Sequence, residues 1–202
     1  MPRVFLTFDD GPNEPYTSAV LDTLQRYAAK ATFFLCGANV EYYPDTARKI
    51  LAAGHAIGNH SYSHAWRNIV SESLLNEVIR TDRILQQVLG LRTRLMRAPW
   101  GKMRPIVRRQ LAHDRYQIFG WDIMAYDWWR PSAEYIARRV IERAHDGAIV
   151  LLHDGDRITH GSDRSPTVKA LPIILDALQK QGYVFERLEE QAVPQRPASS
   201  PA

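Results

Sequence analysis

Short apolar runs alternate with longer amphipathic stretches along most of this chain. The runs at 3–8, 31–36, 55–59, 94–97, 117–122, 148–152 and 183–187 are four to six residues long. Near-continuous runs of that length predict strands buried on both faces, as in a parallel sheet. Between them, apolar positions recur at helical spacing over 16–29, 44–53, 71–89, 105–114, 133–145 and 166–181. Ser71, Ser132 and the Ser165-Pro166 pair stand at helix starts, and Pro105 suits a first helical turn. Gly54, Gly90, Gly147 and Gly182 stand just past helix ends. Pro172 lies inside the last helix and predicts a kink or a split, because it removes an N–H and crowds the preceding turn.

Strands alternating with helices predict an α/β fold with a parallel sheet and right-handed crossovers. An open doubly wound sheet and a closed barrel both satisfy the pattern. Seven or eight units in 202 residues would make a small, imperfect barrel. The pattern predicts one domain over residues 1–192. The Pro-, Ser- and Ala-rich segment 193–202 predicts a disordered tail.

Composition adds bounds. Hydrophobic residues make up 45% and charged residues 24%, as in ordinary globular domains. No run of about 18 apolar residues predicts a membrane span. Strand-like sequence begins by Arg3, so no secretory signal is read at the start. The expected location is the cytoplasm, or the cell envelope or exterior if a signal or anchor has been removed. Net charge is +4, and Arg92, Arg94, Arg97, Lys102, Arg104, Arg108 and Arg109 follow one another without an acid. Such a cluster can attract a polyanion. No nucleic-acid motif accompanies it, so a solvated helix face is the preferred reading and no nucleic-acid partner is expected. The single cysteine, Cys36, allows no intrachain disulfide and reads as a buried thiol. A monomer is expected.

The chemistry-bearing residues collect where the strands end. Asp9 and Asp10 close the first strand, and His60 and His64 follow the third. Arg97-Ala98-Pro99-Trp100 closes the fourth, Asp127-Trp128 follows the fifth, and His153-Asp154 closes the sixth. In parallel α/β folds the C-terminal strand ends form the active rim. Adjacent carboxylates repel unless a cation neutralises one of them. His60 and His64 are spaced i, i+4, which on one helical turn sets both imidazoles on the same side. With Asp10 they make a two-histidine, one-carboxylate set that leaves metal positions open for water and substrate. Zinc suits these ligands, and cobalt or another first-row divalent ion is an alternative. Trp66, Trp100, Trp121, Trp128, Trp129 and Tyr62 lie in or beside these loops, where flat rings stack on sugars. Core packing is the preferred reading for Trp121.

At these clusters the chain resembles the polysaccharide deacetylases with a NodB-type domain, carbohydrate esterase family four. Five motifs stand in the family's order: Thr7-Phe8-Asp9-Asp10-Gly11-Pro12, His60-Ser61-x-x-His64, Arg97-x-Pro99-Trp100, Asp127-Trp128 and Leu151-x-His153. Connecting text such as Lys30-Ala31-Thr32-Phe33-Phe34 and Asp163-Arg164-Ser165-x-Thr167 also matches, so the likeness spans residues 3–190. The resemblance implies a distorted, incomplete (β/α) barrel of about seven parallel strands. It implies that Asp10, His60 and His64 hold one divalent metal ion. It makes Asp9 the general base, positioned by Arg97, and His153 the general acid, oriented by Asp127. The Trp100 N–H would bind the oxyanion, and Leu151 and Trp128 would receive the acetyl methyl. Pro99 and Tyr62 complete the expected substrate-binding set. One departure stands out: Met124 occupies a position where the family often has a further acid, and Asp122 is out of phase with it.

The implied activity is metal-dependent removal of N-acetyl groups from N-acetylglucosamine units of chitin, chitooligosaccharides or peptidoglycan. An O-acetyl esterase acting on acetylxylan would use the same residues. A non-haem iron oxygenase shares the two-histidine, one-carboxylate set, but it needs neither a separate Asp9 base nor a His153 acid.

Overall fold

The structure, a computed structural model, describes residues 1–189. The expected tail at 193–202 and the last residues of the expected domain lie outside the described residues. The strands are β1 (Arg3–Asp9), β2 (Ala31–Leu35), β3 (Ala56–Asn59), β4 (Leu95–Met96), β5 (Gln117–Ile118), β6 (Ile123–Met124), β7 (Ala148–His153) and β8 (Val184–Phe185). The helices are α1 (Tyr16–Arg26), α2 (Gly37–Tyr42), α3 (Pro44–Ala52), α4 (Trp66–Ile69), α5 (Ser73–Leu89), α6 (Pro105–His113), α7 (Ala133–Ile141) and α8 (Ser165–Lys180).

All the strand pairs are parallel, in the order β5-β4-β3-β2-β1-β7-β6, with β8 also paired to the start of β1. The sheet curls into an α/β incomplete barrel. One face of β1, Val4, Leu6 and Phe8, packs with Phe33, Leu35, Val150 and Leu152 against the helices. The other face carries Phe5, which joins Phe34, Leu95, Ile149, Phe119 and Leu188 in a second cluster. This strict alternation on β1 brings Asp9 to the same face as Phe5 and Thr7.

The run at 117–122 was expected to be one strand. Only Gln117-Ile118 of it is strand, β5, which pairs with β4; β6, beginning just past the run at Ile123, pairs with β7. The two strands join opposite edges of the curled sheet, so the four residues between them, 119–122, span the gap where a closed barrel would have a ladder. Helix α8 was expected to kink or split at Pro172, but it is not split. Ala170, Leu171, Ile174, Leu175 and Leu178 are buried on one face of α8, which packs on α1 and α7. That continuous contact outweighs the lost hydrogen bond, about 3 kcal/mol in an unsupported helix.

Two short helices, α2 and α4, escape the hydrophobic pattern. Helix α2 begins on a glycine and has no side-chain cap. Its first N–H groups, Gly37 and Ala38, instead donate to the carbonyls of Ser61 and Tyr62 at 2.9 and 3.1 Å. The loop carrying the two histidines therefore caps α2. At the other helices local signals act as expected: Ser132 accepts from the Tyr135 N–H, and Gly90 ends α5 in the left-handed conformation. Ser71 accepts from the Ser73 N–H at 3.2 Å, although the residue flanking α5 is Glu72.

Phe33 is fully buried and stacks on Phe8 with ring centroids 5.1 Å apart. Phe33→Ala is expected to cost about 3–5 kcal/mol of folding stability. A shift of the urea unfolding midpoint with an unchanged slope measures it.

Candidate active site

Strand register builds the site. Asp9 is paired with His153 across β1 and β7, and parallel neighbours in register present their side chains on the same face. Asp10 follows in a left-handed conformation, φ 74°, which turns its carboxylate away from the strand direction. Two close approaches keep the turn there. A Cβ on Gly11 would strike the Asp154 carboxylate, and one on Gly155 would strike the Asp10 carbonyl.

His60 and His64 do not lie on a helical turn, contrary to the spacing argument. The segment between β3 and α4 is a loop, with Ser61 and His64 at φ 66° and 53°. Glu77 of α5 ties that loop by accepting from the N–H groups of Tyr62 and Ser63 at 3.1 and 2.6 Å. His60 Nδ1 lies 2.8 Å from the Arg97 carbonyl. A carbonyl only accepts, so Nδ1 carries the proton and Nε2 offers its lone pair to the cavity. Asp10 Oδ1 lies 3.4 Å from His60 Nε2 and 3.3 Å from His64 Nε2.

These donors fit a metal ion. The three ligand atoms lie within 4.8 Å of one another, and all three residues are buried. Converging lone pairs repel unless a cation lies between them. Burial holds His64 down at about 4, so it is neutral near pH 7, as a ligand must be. Burial would also lower His60, but Asp9 and Asp10 turn its shift upward. The two carboxylates thus call for positive charge at His60 Nε2, which a proton or a metal supplies.

Arg97 is fully buried and unites the Asp9 side of the site. Its Nη1 donates to Thr7 Oγ1 at 2.7 Å and to Asp9 Oδ1 at 2.8 Å. Its Nη2 donates to the Gly120 carbonyl at 2.8 Å, in the segment that spans the sheet's gap. Asp9 Oδ2 lies 3.6 Å from His60 Nε2 and faces the metal set.

On the opposite side, Asp127 holds His153. Its Oδ1 lies 2.8 Å from His153 Nδ1, and its Oδ2 accepts from the His153 N–H at 2.7 Å and from Thr167 Oγ1 at 2.9 Å. Burial opposes a charged imidazole, yet the Asp127 carboxylate overcomes it, and Asp10 and Asp9 add to the effect. His153 is pushed up to about 9.

One cavity of about 420 Å³ gathers Asp9, Asp10, His60, His64, Trp100, Trp128, Leu151 and His153. Trp121 and Met124 line it too, so Trp121 is not simply a packing residue. Asp122 stays out: its Oδ2 accepts from the Ile149 N–H at 2.9 Å. Two expected substrate-binding residues are not among the lining residues. The Tyr62 ring lies under Arg80, 3.3 Å from the guanidinium carbon, and its hydroxyl donates to Glu41 at 2.8 Å. Pro99 is buried and opens the short turn that presents Trp100. The sequence reading missed Asn39, which donates to the carbonyls of Asp10 and Arg157 at 2.7 and 2.6 Å. An asparagine in an unpatterned segment carries no signal of such a long-range bond.

A curled parallel sheet whose rim carries a buried two-histidine, one-aspartate set, an arginine-held carboxylate and a carboxylate-held histidine suits a metal-assisted hydrolase of the incomplete-barrel class. The comparisons narrow the class. The profile of the polysaccharide deacetylase family matches residues 1–119, more than half of the chain. A peptidoglycan-N-acetylglucosamine deacetylase of Bacillus cereus is 38% identical over 190 residues, 93% of this chain and 86% of that protein. A chitooligosaccharide deacetylase of Sinorhizobium fredii is 33% identical over 94% of this chain and 91% of that one. Among solved structures, the Bc1960 peptidoglycan N-acetylglucosamine deacetylase has a TM-score of 0.85 at 33% identity, covering 92% of this chain and 86% of that one. The chain belongs to the polysaccharide deacetylase family. Asp127 and His153 lie beyond the residues that the profile matches.

Because the His153 value is raised, the stability this group adds is complete below its ordinary 6.5 and is lost as pH rises through about 9. In Asp127→Asn the His153 imidazole is expected to titrate well below its wild-type value, read by NMR. An unchanged titration would remove Asp127 as the cause.

Proposed function

We propose that this chain hydrolyses the N-acetyl group of N-acetylglucosamine units in a β-linked glycan, peptidoglycan or a chitooligosaccharide. The observation that carries the reading is the division of labour in one cavity. Asp9 and His153 are register neighbours on β1 and β7, each with its own charged partner, beside a donor set suited to a metal.

An amide carbonyl is a poor electrophile and its amine a poor leaving group. A divalent ion held by Asp10, His60 and His64, with zinc the proposed identity, would supply Lewis acidity to the carbonyl and lower the pKa of a bound water. Asp9 takes the proton of the attacking water, with Arg97 fixing one carboxylate oxygen so that the other faces the cavity. The Trp100 N–H receives the charge that develops on the carbonyl oxygen. His153, held protonated by Asp127, donates its proton to the departing nitrogen as the C–N bond breaks. Acetate and a free amino sugar result. Leu151 and Trp128 form the apolar wall for the acetyl methyl. The unit carrying this activity is residues 1–192. No helix among the described residues is long and apolar enough to cross a membrane. The cell envelope is the proposed place of action, because the relatives named for peptidoglycan act on a wall polymer.

Acetate release is expected from a chitooligosaccharide series and from peptidoglycan. Chelation should abolish it and zinc restore it. Asp9→Asn and His153→Ala should each lose about 10²–10⁴-fold in kcat, with the far-UV circular dichroism of the native fold. Wild-type rates in either variant would remove its assigned role. Faster release from acetylxylan than from every N-acetylated glycan would make the chain an O-acetyl esterase.

A further inference from the structure

The cavity has a third wall that hydrolysis does not use. After β7 the chain loops over the site to α8, and Asp156, Arg157 and Arg164 of this loop line the cavity beside Asp10 and His153. Arg164 is only 2% exposed. Its Nε donates to the Gly155 carbonyl at 2.6 Å, and its Nη2 lies 3.5 Å from Asp156 Oδ2. Its Nη1 is buried and has no hydrogen-bond partner.

The charges in this corner do not balance. Asp156 is shared by Arg157, Arg164 and Arg130, at 3.4, 3.5 and 3.7 Å. Asp163, whose carboxyl is held low by bonds from Ser165 and by Tyr16, is the other acid near Arg130. Three cations thus face two carboxylates. On the cavity floor Asp9 is paired with Arg97 and Asp127 with His153, Asp154 is bonded by Thr17, and Asp10 faces the two imidazoles of the metal-binding set.

The corner is also held in place. Arg157 has a left-handed backbone, φ 52°, and its carbonyl shares the Asn39 amide with the carbonyl of Asp10. Farther along the loop His160 stacks on Tyr42 with centroids 3.6 Å apart. Asn13 donates to the carbonyls of Asp154 and Ser162 at 3.1 and 2.9 Å, pinning both ends.

We propose that Arg164 and Arg157 form a carboxylate-binding subsite, which makes the preferred substrate an acidic glycan rather than a neutral one. The proposal rests on the glycan reading above and narrows it. A guanidinium presents a planar fork that matches a carboxylate, and a head already out of water loses little hydration on binding. Both arginines line the cavity that holds Asp9 and His153, so the carboxylate lies within about one sugar of the scissile amide. Chitin chains carry no carboxylate. Peptidoglycan strands carry one on the lactyl group of the neighbouring muramic unit, or on the peptide attached to it.

Three tetrasaccharides test this: chitotetraose, a glucosamine–muramic strand with free lactyl carboxylates, and the same strand with its lactyl groups in amide linkage to stem peptides. Equilibrium binding to the zinc-loaded protein is measured for each, with acetate release followed in the same samples. Wild type is expected to bind one of the acidic strands about tenfold or more tighter than chitotetraose, a difference of about 1.4 kcal/mol. Arg164→Gln and Arg157→Gln are each expected to bring that ratio toward one. Whichever acidic strand shows the preference identifies the carboxylate, lactyl or peptide. Arg157 is exposed, so its variant keeps the test valid if Arg164→Gln unfolds, which thermal melting reports. A wild-type ratio near one, or an equal loss of affinity for acidic and neutral strands in the variants, overturns the subsite. Acidic preference without acetate release from any strand would instead support the subsite and overturn the hydrolysis reading.

Discussion

The buried Arg97–Asp9 pair is the interaction on which the site depends. Its guanidinium, with no exposure, bonds Thr7 and Asp9 on β1 and the Gly120 carbonyl in the segment that bridges the sheet's open edges. It also lies over the Phe34 ring, 4.3 Å from the centroid. The same residue's carbonyl fixes the tautomer of His60, and its N–H bonds the Asn59 carbonyl just before the histidine loop. One side chain and its backbone therefore hold the Asp9 carboxylate, orient the His60 imidazole and tie the gap of the incomplete barrel. A buried ion pair is seldom a net source of stability, but breaking it leaves an uncompensated charge, at about 3–5 kcal/mol. The pair sets geometry more than it adds stability.

The rest of the cavity follows the same rule of local compensation. Asp127 makes two hydrogen bonds with His153 and is steadied by a third from Thr167, and its charge favours the cationic imidazole despite burial. Asp10 has no cationic side chain of its own and faces two imidazoles, and that unmet negative charge is what suits a metal. Buried behind them, Asp154 is pushed up to about 7, first by burial, although Thr17 donates to it at 2.6 Å. A cavity with so many acids stays folded because each is paired, bonded or neutralised.

Much of this was legible along the chain, for identifiable reasons. The short apolar runs of β1, β2 and β7 mark buried parallel strands, and polar residues at their ends mark a rim. Caps such as Ser132 and Gly90 act within one helical turn, so they are local signals. What escaped depends on partners distant in sequence. Helix α2 exists because carbonyls more than twenty residues later accept its first N–H groups. The run 117–122 holds Ile118, Phe119 and Trp121 close together, and only its placement between two open edges ends the strand at Ile118. Tyr62 sits inside a motif loop, yet Arg80 of α5 covers its ring. Trp121 sits beside a strand, yet the gap turns it toward the cavity.

The sequence by itself determined the strand–helix order, the rim on which the reactive residues fall, and the family. These follow from periodicity and from residue types at fixed local spacing. Only the tertiary structure gives the physical reason that Asp10 faces both imidazoles, since Asp9 and Asp10 are chemically identical neighbours. The left-handed turn at Asp10, fixed by Gly155 and Asn39 from other parts of the chain, separates them. Likewise, Arg97 becomes the partner of Asp9 only because curling brings β1, the end of β4 and the bridging segment around one buried point.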